Sequence, residues 1–185
     1  HRLLDGRREP ADRVGASYGV TGKGLIGAMS AKAYYTRVDH WMTDAYRQSS
    51  VGMPREYSMA SQAATRTTGG SLELVAGPIS AGVEAYRRNW NISTLLAGMK
   101  YAPQYSVPDV NVDHVGAFAE YQRSIGDRTK VEIGGRVDLA KSQADSTKAN
   151  TDLYFAYNGT RSTSASDTTA SGKMRLTHRA NQAVE

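Results

Sequence analysis

Between His114 and Leu139 apolar and polar residues alternate almost without a break. Val115, Ala117, Ala119, Tyr121 and Ile125 share one parity, interrupted only by Arg123, while Gly116, Phe118, Glu120, Gln122 and Ser124 share the other. After Gly126-Asp127, Val131, Ile133, Val137 and Leu139 alternate with Lys130, Glu132, Gly134, Arg136 and Asp138. A helix would mix the two classes on every face, whereas a strand separates them, so the spacing predicts a β-hairpin. A second hairpin is predicted around Gly77-Pro78, with Leu72 and Leu74 leading in and Ile79, Ala81, Val83 and Ala85 leading out. Proline suits the turn, where its missing donor is not needed. A third pairs Val14, Ala16, Tyr18 and Val20 with a strand from Leu25 to about Met42, and a seventh strand is expected to begin near Lys173.

The three turn signals, Thr21-Gly22-Lys23-Gly24, Ala76-Gly77-Pro78 and Ile125-Gly126-Asp127-Arg128, are short and nearly evenly spaced. The segments at roughly 44–64, 90–112 and 142–171 are long and rich in Ser, Thr, Asn, Asp and Gln, and read as loops. Short turns at one end and long loops at the other are the signature of an up-and-down membrane barrel, with its short turns toward the periplasm. The expected fold is therefore all-β, an antiparallel transmembrane β-barrel segment of about seven strands. That is too few to close the barrel. The chain opens at His1 without an initiator methionine or a signal-peptide pattern and stops in a polar run at Glu185. Residues 1–185 are accordingly expected to be one partial barrel domain from inside a longer protein.

Alternation leaves one matter open. A soluble barrel turns its apolar face to a core, and a membrane barrel turns it to lipid. The alanines and glycines on the apolar face supply too little volume for a core, which favours lipid contact. No apolar run reaches the length of about 18 residues that a transmembrane helix needs, but barrel strands need none. Eleven tyrosines against two phenylalanines and two tryptophans fit an interfacial aromatic belt. The net charge of +5 is scattered with no basic block, which gives no support to nucleic-acid binding. The absence of cysteine removes disulfides and thiolate zinc sites. No nucleophile triad, paired-carboxylate motif or phosphate-binding loop is legible, so the reading is not an enzyme and carries no cofactor.

The stretch VDHVGAFAEYQRSIGDRTKVEIGGRVD (112–138) resembles the mid-barrel hairpin of TonB-dependent outer-membrane receptors. Gly116, Phe118, Glu120 and Tyr121 stand at the places of a G-x-F-x-E-Y strand, and Gly134, Arg136 and Asp138 at those of a G-x-R-x-D return strand. AYYTRVDHWMTDAYR (33–47) and GVEAYRRNWN (82–91) resemble the copper-receptor subgroup, and the resemblance runs from about Val14 to Arg179. It implies a many-stranded barrel in outer-membrane lipid, a plug domain and C-terminal strands outside this segment, and energy delivered by TonB. Copper is the implied transported cargo. A siderophore or other metal complex is the alternative cargo, and a passive porin-like channel the alternative role.

His40-Trp41-Met42 is the candidate site. Residues two apart on a strand face the same way, so His40 and Met42 continue the polar face of Ser30, Lys32, Tyr34 and Thr36. An imidazole beside a thioether suits a soft ion such as Cu(I). The resemblance implies that they form the barrel half of a copper site completed by the plug. A structural reading has them as strand-end residues beside an interfacial Trp41. Met53 and Met59, in the segment read as the next loop, are candidate transit ligands or gap-fillers. Glu120, Glu132, Arg136 and Asp138 are expected to pair across neighbouring strands, and His114 and His178 to be structural.

Overall fold

The computed structural model describes residues 5–8, 10–22, 26–44, 58–97 and 104–180. The elements are β1 (Asp5–Arg8), β2 (Ala11–Thr21), β3 (Ala28–Thr43), β4 (Ser58–Ala76), β5 (Ile79–Ala97), β6 (Gln104–Ile125), β7 (Thr129–Gln143), α1 (Thr151–Asn158) and β8 (Ser164–His178). All strands belong to one antiparallel sheet in the order β1-β3-β4-β5-β6-β7-β8, with β2 also on β3. β1 and β2 lie end to end along the same edge of β3, separated at Pro10, whose carbonyl accepts from Asp39 N at 3.0 Å. The eight strands thus occupy seven positions across the sheet, and the described sheet is not closed.

The hairpins form where the alternation places them. At the tightest, Ala76 pairs with Ile79, leaving a two-residue turn of Gly77 and Pro78. Gly77 takes φ +56°, which only glycine adopts cheaply, and proline fixes the next φ negative. That sign order matches the right-handed twist of the flanking strands. Lys23, Gly24 and Leu25, which carry much of the first predicted turn and the start of its second strand, lie outside the described residues; Gly22 N donates to Gly27 O across that connection.

The predicted loops are too long. β4 begins at Ser58 rather than beyond residue 64, β5 and β6 fill most of 90–112, and β8 begins at Ser164 rather than Lys173. Their polar content hid them, because a strand wetted on both faces has no reason to alternate. Backbone pairing with a neighbour sustains it instead. The third connection also holds α1, absent from the sequence reading. Asn150 caps its first turn by accepting from Leu153 N at 3.0 Å, and Gly159, at φ +70°, closes it.

Across the sheet the registers line up row by row. On one face, Tyr18, Ala31, Leu72, Val83, Ala117, Val137 and Ala170 are successive partners. The rows on either side read Ala16, Ala33, Gly70, Ala85, Val115, Leu139, Thr168 and Val20, Met29, Leu74, Ala81, Ala119, Gly135, Gly172. The band slants. Its limit away from the short turns is Val14 and Tyr35 on β2 and β3 but Ala170, two rows nearer the turns, on β8. On β7 and β8 it continues toward the turns to Val131 and Leu176. Strands tilted against a membrane normal produce such a drift.

Nothing among the described residues covers this band. Val83, Val115, Val137 and Leu139 are about half exposed, and among the described residues only Ala144 is a buried hydrophobic residue. With strands about 4.8 Å apart and a rise of about 3.3 Å, the band projects to roughly 600 Å², the upper end of what a soluble monomer leaves bare.

Candidate functional site

The band ends abruptly. Beyond it, still on the same face, come Thr68, Arg87, Asp113, Lys141 and Ser166, level with the band's last residue on β3, and then Asp12, Arg37, Arg66, Asn89, Asn111, Gln143 and Ser164. Arg87 grips Asp113 with both forks, at 2.5 and 2.9 Å, a geometry that arginine and carboxylate share. The strands run on well past this line. β5 extends 19 residues, and its unbroken apolar alternation on this face, Ile79, Ala81, Val83 and Ala85, gives way to Arg87 and Asn89.

On the opposite face, charged side chains pair across strands as the sequence leads one to expect. Lys173 reaches Glu120 at 2.7 Å and Arg175 reaches Glu132 at 3.7 Å, while Lys130 reaches Glu132 of its own strand at 2.8 Å. Arg136 joins Glu84 of β5 to Asp138 of its own strand, and Asp138 contacts His114 Nε2 at 2.9 Å. The Phe118 ring sits against Gly82, where a Cβ would come within 2.6 Å of it. His114 is mid-strand on β6, not at a strand start, and stacks on Tyr86 with centroids 4.7 Å apart.

Glu84, His114 and Asp138 offer ligand atoms within 4.8 Å of one another, the spacing of a cation site. The guanidinium of Arg136 already holds both carboxylates. A metal ion would have to displace a permanent positive charge that satisfies the same oxygens, so the cluster is a complete ion-pair network rather than a metal cradle. His114 Nδ1 is buried without a partner among the described residues.

The sequence-derived site lies at the far end of β3. The β3–β4 ladder runs unbroken from Ala28 to Thr43, so His40 and Met42 do share the face of Ser30, Lys32, Tyr34 and Thr36. Both are partly buried. Met59 is not in a loop. It is the second residue of β4, held by two bonds to Asp44, whose Oδ1 accepts from Met59 N at 2.6 Å and whose N donates to Met59 O at 3.1 Å. The sequence hid this because Ser58–Gln62 is as polar as the residues before it. Ser61 faces Met42 directly, so Met59 is Met42's diagonal neighbour on the same face, within about 7–8 Å. By register Met42 therefore stands between His40 and Met59 on one face, with His40 and Met59 four residues, or about 13 Å, apart along the strands. Met53 lies outside the described residues.

Beyond the band, β6 carries two bulges against β5, near Asn91 and Ile92, and Asp109 there takes φ +52°. Its carboxylate accepts from Asn89 Nδ2 at 2.8 Å and Lys148 Nζ at 2.9 Å. The Asn89 bond first, and then the Lys148 bond, hold the carboxyl below its ordinary pKa. The same contact raises Lys148. Asp145 is lowered chiefly by the Thr147 hydroxyl, which donates to it at 2.7 Å. Together these groups tie the β7–α1 connection to β6.

No protein-family profile matches the chain, and no curated protein matches it. Among solved structures, the chain is similar to the copper transporter OprC, with a TM-score of 0.76 and 22% identity over 98% of this chain. The likeness is one of fold: an all-β, antiparallel sheet of the kind that transporter contains. The match covers 29% of that chain, so the sequence spans less than a third of the transporter's length.

Proposed function

We propose that this chain is part of an outer-membrane barrel that takes up copper actively, with a plug domain and TonB supplying gating and energy. The observation that carries the membrane assignment is the uncovered apolar band, aligned over seven strand positions and cut off by a row of charge. In water such a face would need a second layer, and lipid is that layer. The short turns then face the periplasm and the long strand extensions face outside, and the charged opposite face lines the lumen.

The cargo assignment has separate support. The segments around His40 and Arg87 resemble copper receptors, and the fold is shared with a copper transporter. His40, Met42 and Met59 set one imidazole and two thioethers on a single face, and soft donors of this kind favour Cu(I) over harder cations. His40 and Met42 hold the ion from the barrel wall, Met59 beside Met42 serves as a transit ligand, and the plug supplies the remaining donors.

Copper(I) binding by the full-length protein, compared with His40→Ala and Met42→Ala, tests the site. Each substitution is expected to weaken binding at least about tenfold, or roughly 1.4 kcal/mol. Parent-like affinity in both variants would overturn it. Uptake that continues in cells lacking TonB would replace the receptor with a passive channel, and uptake of a chelate in preference to free copper would replace the cargo.

A further inference from the structure

Arg37 and Arg66 are direct partners across β3 and β4, on the same face as the apolar band and two residues beyond Tyr35 and Thr68. Like charges set directly opposite each other repel. Arg37 is held by Asp39, whose Oδ2 accepts from both its Nε and one terminal nitrogen at 2.7 Å. Arg66 is exposed and makes no ion pair within 4 Å among the described residues. The two arginines, with Asp12, Asp39, Trp41 and Gln62, line an open groove of about 770 Å³. By register, Asp12, Asp39, Trp41 and Gln62 lie on the arginines' face, not on the face of His40 and Met42.

The height of the groove selects its occupant. Along a strand, two residues span about 6.6 Å, which a 45° tilt reduces to under about 5 Å of depth. That places both guanidinium groups in the headgroup layer, which is about 5–8 Å thick on each side of the hydrocarbon. Trp41, two residues further out, presents an aromatic ring in the same layer. A guanidinium fork matches the oxygens of a phosphate. Arg66, which no carboxylate engages within 4 Å among the described residues, offers its fork beside that of Arg37. The hold of Arg37 on Asp39 leaves further N–H donors for a shared phosphate. Elsewhere on this border the cation is already satisfied, since Arg87 is clamped on Asp113.

We propose that the Arg37–Arg66 groove binds the phosphate of a phosphorylated membrane lipid headgroup from the outer side of the barrel wall. The proposal rests on the membrane reading above and is independent of copper. The full-length protein and its R37Q/R66Q variant would be folded into phosphatidylcholine vesicles carrying either bisphosphorylated or dephosphorylated lipid A. Heat-modifiable migration reports insertion, and mass spectrometry of the recovered protein counts the lipid bound.

The expected result is about tenfold tighter retention of the phosphorylated form by the parent protein, lost in R37Q/R66Q and kept in a Lys173→Gln control on the opposite face. Equal retention of both forms by the parent protein, or an equal loss in Lys173→Gln, would overturn the groove. Full displacement by millimolar inorganic phosphate would show a free-anion site and overturn the headgroup assignment. Failure of the parent protein to insert would overturn the membrane reading and the groove with it, whereas insertion with indifferent binding would overturn the groove alone.

Discussion

β5 and β6 stay paired from Ile79 and Tyr121 to Thr94 and Gln104, yet the two halves of this one ladder are built on different rules. Near the short turn, Ile79, Ala81, Val83 and Ala85 face Tyr121, Ala119, Ala117 and Val115, every one apolar or weakly polar. Past Arg87 and Asp113, the same face carries Asn89 against Asn111, and the register breaks into bulges. The backbone bonding is common to both halves, so the difference lies in what surrounds them. On the membrane reading proposed above, the side chains of the first half answer to hydrocarbon on one face and water on the other. In the second half both faces answer to water, and irregularity costs little.

The largest expected effect comes from moving a charge between the halves. Val83 is half exposed, and a soluble sheet would accept arginine there within about 0.5 kcal/mol. In lipid, an arginine near the middle of the band costs roughly 2–4 kcal/mol. Gln143→Arg, on the same face beyond the border, should cost less than about 0.5 kcal/mol in either setting. Denaturant titrations of the full-length protein in vesicles would measure both. Equal costs at the two positions would remove the lipid boundary.

The same contrast explains what could be read from the sequence. The strands inside the band were legible, with faces and turns, because two unlike solvents enforce a period of two. Residues 104–112 and 164–169 read as loop in the sequence because no such contrast acts on them. The eight-residue α1 left no trace, since it has no buried residue to impose a helical period. For the candidate site, the shared face of His40 and Met42 follows from their spacing, and the copper reading from the resemblance. Met59 entered only when the register of β4 was known, because its relation to Met42 is cross-strand. The facing of Arg37 and Arg66, 29 residues apart in sequence, is of the same kind. Runs such as A-A-T-R-T-T give no sign of which residue lies opposite.

A second prediction sharpens the contrast on the opposite face, where the first half is packed by specific contacts. Phe118 occupies the space that a side chain at Gly82 would need, with Leu72 O also only 2.9 Å from the Cβ position. Gly82→Val should therefore cost about 1–3 kcal/mol through overpacking. Phe118→Ala in the same molecule should recover part of that loss, because it removes the ring but not the backbone carbonyl. A double-mutant cycle by denaturant titration gives the coupling. Additive costs would mean that the ring and the glycine are not packed against each other.

The smallest effect concerns the latch in the water-exposed half. Asp109 has a lowered pKa, so its contribution is complete above the ordinary carboxyl value of about 3.9 and disappears as pH falls through the lower folded value. Lys148 is raised, so its contribution is complete below the ordinary value of about 10.4 and disappears as pH rises through the higher folded one. Both are in place across neutral pH, and the tie from β6 to the β7–α1 connection should hold from roughly pH 5 to 9. Amide exchange in the 144–150 segment, corrected for intrinsic rates, should be flat over that window and rise below about pH 4. Asp109→Asn should raise it a few-fold at neutral pH and abolish the acid step, while exchange inside the band stays unchanged. The confinement follows from position, because Asp109 sits at a bulge beyond the border, where the ladder is already interrupted. Loss of protection spreading to Val115 or Val137 would mean that the two halves unfold as one unit.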